Sequence, residues 1–220
     1  MKRICLSICT GAAALAFAAP VSAAILGPYL GLGVGQSIAK TPDGYAFNVS
    51  TLPGGSATHA HTGAAGRAFG GFNFNRYAGV ELGYTRYARA LYTGQAPGYY
   101  ASMKYYFRTY DIVLKGYLPL GDSGFNLYGL LGYARVVGTL KYINNFGVPL
   151  SGTIATPQAK INHMWRNRPI YGLGANYTFA KHFTIGLEAT EIYRMGSFST
   201  SNTATPNLDL YTLNFAYNFC

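Results

Sequence analysis

The sequence predicts an all-β chain: eight antiparallel strands, wound up and down into a transmembrane β-barrel, behind a cleavable signal peptide. Three observations predict it. Segments in which apolar and polar residues alternate recur eight times, which is the period of a strand with two unlike faces. The last of them, residues 208–219 (LDLYTLNFAYNF), puts Tyr211, Leu213, Phe215, Tyr217 and Phe219 on one side and Leu210, Thr212, Asn214, Ala216 and Asn218 on the other. In water an aromatic outer face on a terminal strand invites aggregation, whereas against lipid it is what a barrel strand needs. The third observation is composition: charged residues make up 11% of the chain and aromatics 15%, with 20 Tyr and 28 Gly. A soluble domain carries about 25% charged residues.

The chain opens with Lys2 and Arg3, an alanine-rich apolar stretch over 4–19, then Pro20 and Val21-Ser22-Ala23. That is the basic, apolar and small-x-small order of an export signal, and the stretch is shorter than the ~20 residues of a spanning helix. Residues 1–23 are therefore expected to leave as a signal peptide, with 24–220 forming one barrel domain. Cys5 and Cys9 would leave with it, and Cys9 precedes most of the apolar stretch, the wrong place for lipid attachment. Cys220 is then a single thiol, which makes no intramolecular disulfide; it is either a spare tail residue or a thiol that couples chains. Loss of Lys2 and Arg3 lowers the formal charge from +10 to +8. A basic balance often points to nucleic acid, but an exported chain meets anionic lipid and lipopolysaccharide phosphate instead, so no nucleic acid is expected.

The eight segments follow in order. Residues 29–38 (YLGLGVGQSI) turn Leu30, Leu32 and Val34 outward and glycines inward, and a polar loop runs to about Gly63. Residues 64–73 and 78–87 form a hairpin turning at Asn75-Arg76, followed by a loop rich in Gly, Pro and Tyr. Residues 105–118 and 126–137 are joined through 119–124, and the longest loop follows. Residues 170–179 and 183–193 turn at 180–182, and a Ser/Thr/Asn loop leads to the last strand. Short turns on one rim and long loops on the other match the periplasmic turns and extracellular loops of outer-membrane barrels. A soluble ligand-binding barrel is the competing reading, and it requires an apolar interior. On the third segment Val80, Leu82 and Tyr84 oppose Gly79, Glu81, Gly83 and Thr85; on the seventh Ile185, Leu187 and Ala189 oppose Thr184, Gly186, Glu188 and Thr190. Faces carrying Glu and Gly are too small and polar for a soluble core.

Residues 66–86 (GRAFGGFNFNRYAGVELGYTR) closely resemble the second hairpin of the OmpA transmembrane domain, above all in AFGGF and GVELGY. Residues 111–119 (DIVLKGYLP), 126–132 (NLYGLLG) and the terminal strand fit the same family in order and spacing, so the resemblance spans the mature chain apart from its loops. It implies an outer-membrane barrel with a packed polar interior and roles in envelope integrity, adhesion and surface recognition. It also implies interior acid–base pairs between neighbouring strands. Glu81 and Lys115 match two of those positions, while Asn176 and Gly186 stand where the family has an acid and a base. The peptidoglycan-binding domain that follows in classical members has no counterpart before Cys220, so cell-wall tethering does not carry over.

By strand register Arg67, Glu81, Asp111, Lys115 and Glu188 point into the lumen. Eight strands leave an interior just wide enough for side chains, where unpaired charge is costly, so Glu81 is expected to pair with Arg67 or Lys115. The network reads as a structural plug, or as a gate if its partners exchange. Arg86, Arg108 and Arg135 fall on the lipid face near the extracellular strand ends, with Arg89 and Lys104 in the adjoining loop. There a charge costs only about 0–1 kcal/mol, and guanidinium clamps phosphate bidentately; lipopolysaccharide contact and simple snorkelling are the two readings.

His59 and His61 share one side of an extended loop, His163 lies in a later loop and His182 in a short turn. Without clustered cysteines or carboxylates they read as solvated residues, and no metal or cofactor is expected. No His stands beside a Ser or Asp in the arrangement nucleophilic catalysis needs, so the chain reads as non-enzymatic. A lipid A-modifying enzyme and a small ion-conducting pore are the alternatives. Loops 51–63, 138–168 and 197–207 are where a host or cell-surface partner would bind. The terminal residues Tyr211, Leu213, Phe215, Tyr217 and Phe219 carry the expected signal for the barrel-assembly machinery, and a monomer is expected.

Overall fold

The computed structural model describes residues 25–40, 54–97, 99–146, 158–193, 196–197, 204–205 and 207–219. Residues 1–23, expected to be a signal peptide, and Cys220 lie outside them. The chain forms β1 (Gly27–Lys40), β2 (Ser56–Ala60), β3 (Thr62–Asn73), β4 (Ala78–Arg86), β5 (Ala90–Ala96), β6 (Tyr99–Pro119), β7 (Phe125–Phe146), β8 (Gln158–Phe179), β9 (Phe183–Ile192), β10 (Gly196–Ser197), β11 (Ala204–Thr205) and β12 (Asn207–Asn218). Eight of these close a ring, β1–β3–β4–β6–β7–β8–β9–β12, every neighbouring pair antiparallel and β12 returning to β1. Closure leaves no sheet edge in the membrane, where an unpaired backbone group would have no water to turn to.

Three short turns mark one rim. Asn75 Oδ1 accepts the amides of Tyr77 (2.7 Å) and Ala78 (2.9 Å), an Asx-type turn. Between β6 and β7, Gly121 and Gly124 take positive φ (64° and 79°). Between β8 and β9, Ala180 and Lys181 are both left-handed (φ 51° and 65°) without glycine's freedom. The turn is tied down by the Asn218 amide, which donates to the His182 carbonyl at 2.7 Å.

The outward face is apolar and uncovered, the inverse of a soluble barrel: Leu32 is 68% and Leu173 72% exposed. Phe72, Phe74, Phe125, Phe183, Tyr217 and Phe219 surround the short-turn end, and Tyr84, Tyr110, Tyr133, Tyr171 and Tyr211 form a band towards the other. These are the two interfacial girdles of a membrane barrel.

Two sequence expectations change. The stretch read as the longest loop, 138–168, is largely strand: β7 continues to Phe146 and β8 starts at Gln158. Beyond the lipid, the outward positions mix polar residues such as Thr139, Lys141 and His163 with Ile161 and Trp165, so the alternation fades while the hydrogen-bond ladder continues. For the same reason β2 and β5 lie in stretches read as loop, pairing with each other and, through β5, with the outer half of β6. Lys104, read as a loop residue, is therefore in β6, whereas Arg89 does lie between β4 and β5. Secondly, the lumen is not polar throughout. Towards the extracellular end Tyr87, Phe107, Val136, Met164, Ile170, Ile192, Leu208 and Leu210 pack into a buried apolar layer.

The barrel's tightness is testable at two glycines. A Cβ on Gly132 would run into the backbone of Ile112 and Val113, whereas one on Gly66 meets nothing within 4 Å. Gly132→Val should cost more than the ~1–3 kcal/mol of ordinary overpacking, and Gly66→Ala should stay within about 0.5 kcal/mol of the parent. Urea midpoints of the folded, fast-migrating form on unboiled gels measure both.

Candidate functional site: a paired lumen beneath a cationic outer face

Midway along the lumen the five charged residues meet as one chain of alternating sign. Arg67, on β3, donates from Nη2 to Asp111 Oδ1 of β6 at 2.8 Å and to Glu81 Oε1 of β4 at 2.9 Å. The other Glu81 oxygen accepts Lys115 Nζ at 2.7 Å, and Lys115 reaches on to Glu188 Oε2 of β9 at 3.1 Å. Glu81 thus takes both bases rather than one. The Tyr29 and Tyr128 hydroxyls donate to Glu81 Oε2 and Glu188 Oε2, each at 2.9 Å. The Lys115 ammonium also lies 4.8 Å from the Tyr128 ring centre, a cation–π contact. Every side chain in the network is at most 6% exposed.

Local sequence makes room for it. Gly83 faces the lumen beside the pair, and a Cβ there would sit 2.6 Å from Asp111 Oδ1 and 2.7 Å from Arg67 Nη2. Below, Asn176 and Gly186, which stand where the resemblance places an acid and a base, face each other across β8 and β9, and Asn176 Oδ1 accepts from Asn126 Nδ2 at 2.9 Å instead. On the periplasmic side a cavity of about 50 Å³, lined in part by Tyr29, Phe69, Asn73, Asn176 and Asn214, ends against Glu81 and Lys115.

Outside, Arg86, Arg108 and Arg135 are exposed on adjacent strands, with Arg89 exposed just beyond β4 and Lys104 half-buried on β6. Arg86 stands directly opposite Arg108, and Lys104 opposite Lys141. The Arg135 guanidinium lies 5.0 Å over the ring of Trp165, the chain's single tryptophan. The sequence reading missed Lys141 and Trp165 because both fell in the stretch taken for loop. Tyr211, Leu213, Phe215, Tyr217 and Phe219 all face outward along the seam where β12 closes on β1.

Two of the histidines, His163 and His182, stand in separate settings. His163 contacts Thr139 Oγ1 at 3.3 Å, and His182 contacts the Asn218 carbonyl at 3.1 Å while stacking on Tyr217. The side chain of His59 lies outside the described residues. Among the described residues no group of three His, Cys, Asp or Glu side chains is placed to hold a metal ion.

Several solved structures and one family model are similar to this chain. Neisserial surface protein A superposes with a TM-score of 0.52 at 12% identity, covering 87% of this chain and 97% of its own. The outer membrane protein OprG from Pseudomonas aeruginosa gives 0.48 at 15% identity, covering 90% and 98%. The attachment invasion locus protein Ail of Yersinia pestis, solved with the heparin analogue sucrose octasulfate, gives 0.46 at 16% identity, covering 88% and 99%. No curated protein matches the chain in sequence. The model of one family, described as the outer membrane protein beta-barrel domain, matches residues 9–219. With that match over nearly its whole length, the chain belongs to the outer membrane protein beta-barrel domain family and is a protein of the bacterial outer membrane.

Proposed function

We propose that the protein is a closed, non-enzymatic barrel that displays an extracellular sheet for surface interaction, an adhesin-like role with a structural part in the envelope. One observation carries this reading: β6, β7 and β8 run for 21, 22 and 22 residues, whereas about 9–11 cross a bilayer. The excess pairs with β5 and β2 into a five-stranded ribbon, β2–β5–β6–β7–β8, beyond the membrane. A rigid, protruding sheet is a binding platform that a mere loop cap is not.

The lumen supports display over transport. The ion-paired chain from Asp111 to Glu188 crosses it, and the apolar layer lies above. In this reading the charges are a plug, β12 is the strand the assembly machinery engages, and the partner is a host or neighbouring-cell surface.

Three outcomes are expected. In planar bilayers the refolded protein gives no stepwise conductance; a conductance that changes on neutralising Glu81 or Lys115 establishes the pore reading instead. Replacing 139–165 by a short turn should leave heat-modifiable mobility intact and reduce adhesion of expressing cells to that of cells without the protein; unchanged adhesion removes the display role. Arg67→Met strips Asp111 of its ion pair and should cost about 3–5 kcal/mol in urea unfolding, while Arg67→Met with Asp111→Leu recovers most of it. An equal loss in single and double variants contradicts a structural plug.

A further inference from the structure

On the outward face of β3 the side chains are small. Gly66, Ala68 and Gly70 occupy alternate positions until Phe72 ends the row. Their cross-strand neighbours are large. Val34, Leu32 and Leu30 of β1 stand opposite them on one side, and Arg86, Tyr84 and Leu82 of β4 on the other, in the same order. The result is an open apolar groove of about 620 Å³, with Leu30, Leu32, Ala68, Gly70, Leu82 and Tyr84 in its walls and floor. Beyond Ala68 it continues over Gly66, where a Cβ would meet nothing within 4 Å. From Gly66 to Gly70 it runs about 13 Å at ~3.3 Å per residue, about half of the ~25 Å apolar band of a membrane barrel, and it closes at Gly70, where a Cβ would sit 2.6 Å from Leu30 Cδ2. An occupant of this groove is a chain lying in the membrane.

The upper end of the groove is cationic. Arg86 faces Gly66 across one strand pair and Arg108 across the other. Like charges directly opposite one another destabilise a sheet, unless an anion sits between them. Arg135 is the diagonal neighbour, facing Tyr110 two residues below Arg108. Among the described residues no Asp or Glu lies on the outward face of β3, β4, β6 or β7. The paired acids Glu191 and Asp209 stand on β9 and β12, across the barrel. The height fits a headgroup: Arg86 and Arg108 come one outward position above Tyr84 and Tyr110, whose rings are 5.1 Å apart in the interfacial band.

We propose that groove and arginine pair form one site for a phosphorylated glycolipid of the outer leaflet. An acyl chain lies along β3 and a phosphate sits between the Arg86 and Arg108 guanidiniums. Free phosphate has the same headgroup chemistry but no chain, so the groove distinguishes the two sources.

Native mass spectrometry of the refolded protein in detergent tests this, with bisphosphorylated lipid A, dephosphorylated lipid A and inorganic phosphate as probes. The expected result is one retained bisphosphorylated lipid, with the dephosphorylated form bound about tenfold or more weakly, as loss of charged hydrogen bonds requires. Arg86→Gln with Arg108→Gln should weaken binding by a similar factor. Arg86→Lys with Arg108→Lys falls between, keeping charge but losing the fork. Gly66→Leu fills open space on the lipid side, so it should leave unboiled gel mobility unchanged while weakening lipid binding. Equal binding of the two lipids overturns the proposal, and this comparison needs no variant. So does displacement of the lipid by equimolar inorganic phosphate, or a Gly66→Leu protein that binds as well as the parent.

Discussion

A ring of eight strands encloses a lumen no wider than the side chains that line it, and every charge placed there must be answered from within. That constraint organises the structure. Arg67, Glu81, Lys115 and Glu188 come from β3, β4, β6 and β9, so the network ties strands that are not neighbours in the sheet. Hydrogen bonds close the wall; the ion pairs fix what fills it. Desolvating charge costs several kcal/mol per ion, and the alternating order −+−+− ensures that each base is shared by two acids. Above this level the demand disappears, because Phe107, Val136, Met164 and Ile170 fill the lumen with apolar side chains that ask for no partner.

The outer surface answers to a different solvent at each height. Phenylalanine and tyrosine mark the short-turn boundary, leucines fill the middle, tyrosines mark the upper boundary, and cations follow one position beyond. Around the circumference the charge is uneven. Basic residues gather over β4, β6 and β7, while Glu191 and Asp209 sit together on β9 and β12. A barrel whose exposed arginines gather over three adjacent strands meets the phosphate-bearing leaflet asymmetrically.

The fold was legible in the sequence wherever lipid imposes alternation, and the eight spanning segments came out within a few residues of their membrane-spanning portions. Above the membrane that pressure ceases, and strands such as 139–146 and 158–165 read as loop although their ladders are intact. The interior was legible by parity: a period of two places Glu81 and Lys115 inward without any structure. Which side chains meet across the lumen depends on tilt and shear, which is why Glu81 had two possible partners and takes both. The apolar upper layer escaped notice because the inner face was judged on the strands that carry Glu81 and Glu188. His182 had no visible role, since its contact with the Asn218 carbonyl joins a turn to a strand 36 residues on.

The long β7–β8 ladder also has a mechanical side. From Gln158 to Tyr177 the two strands are paired without interruption, from the outermost tip to the short-turn rim. Antiparallel hydrogen bonds lie across the strand direction, so tension applied at the outer end pulls β7 and β8 together and loads their ladders to β6 and β9 in shear, many bonds at once, instead of peeling them one at a time. A cell pulled by whatever grips that tip would transmit the force straight into the barrel wall. The protrusion is a continuous beam set into its foundation, with no hinge at the waterline.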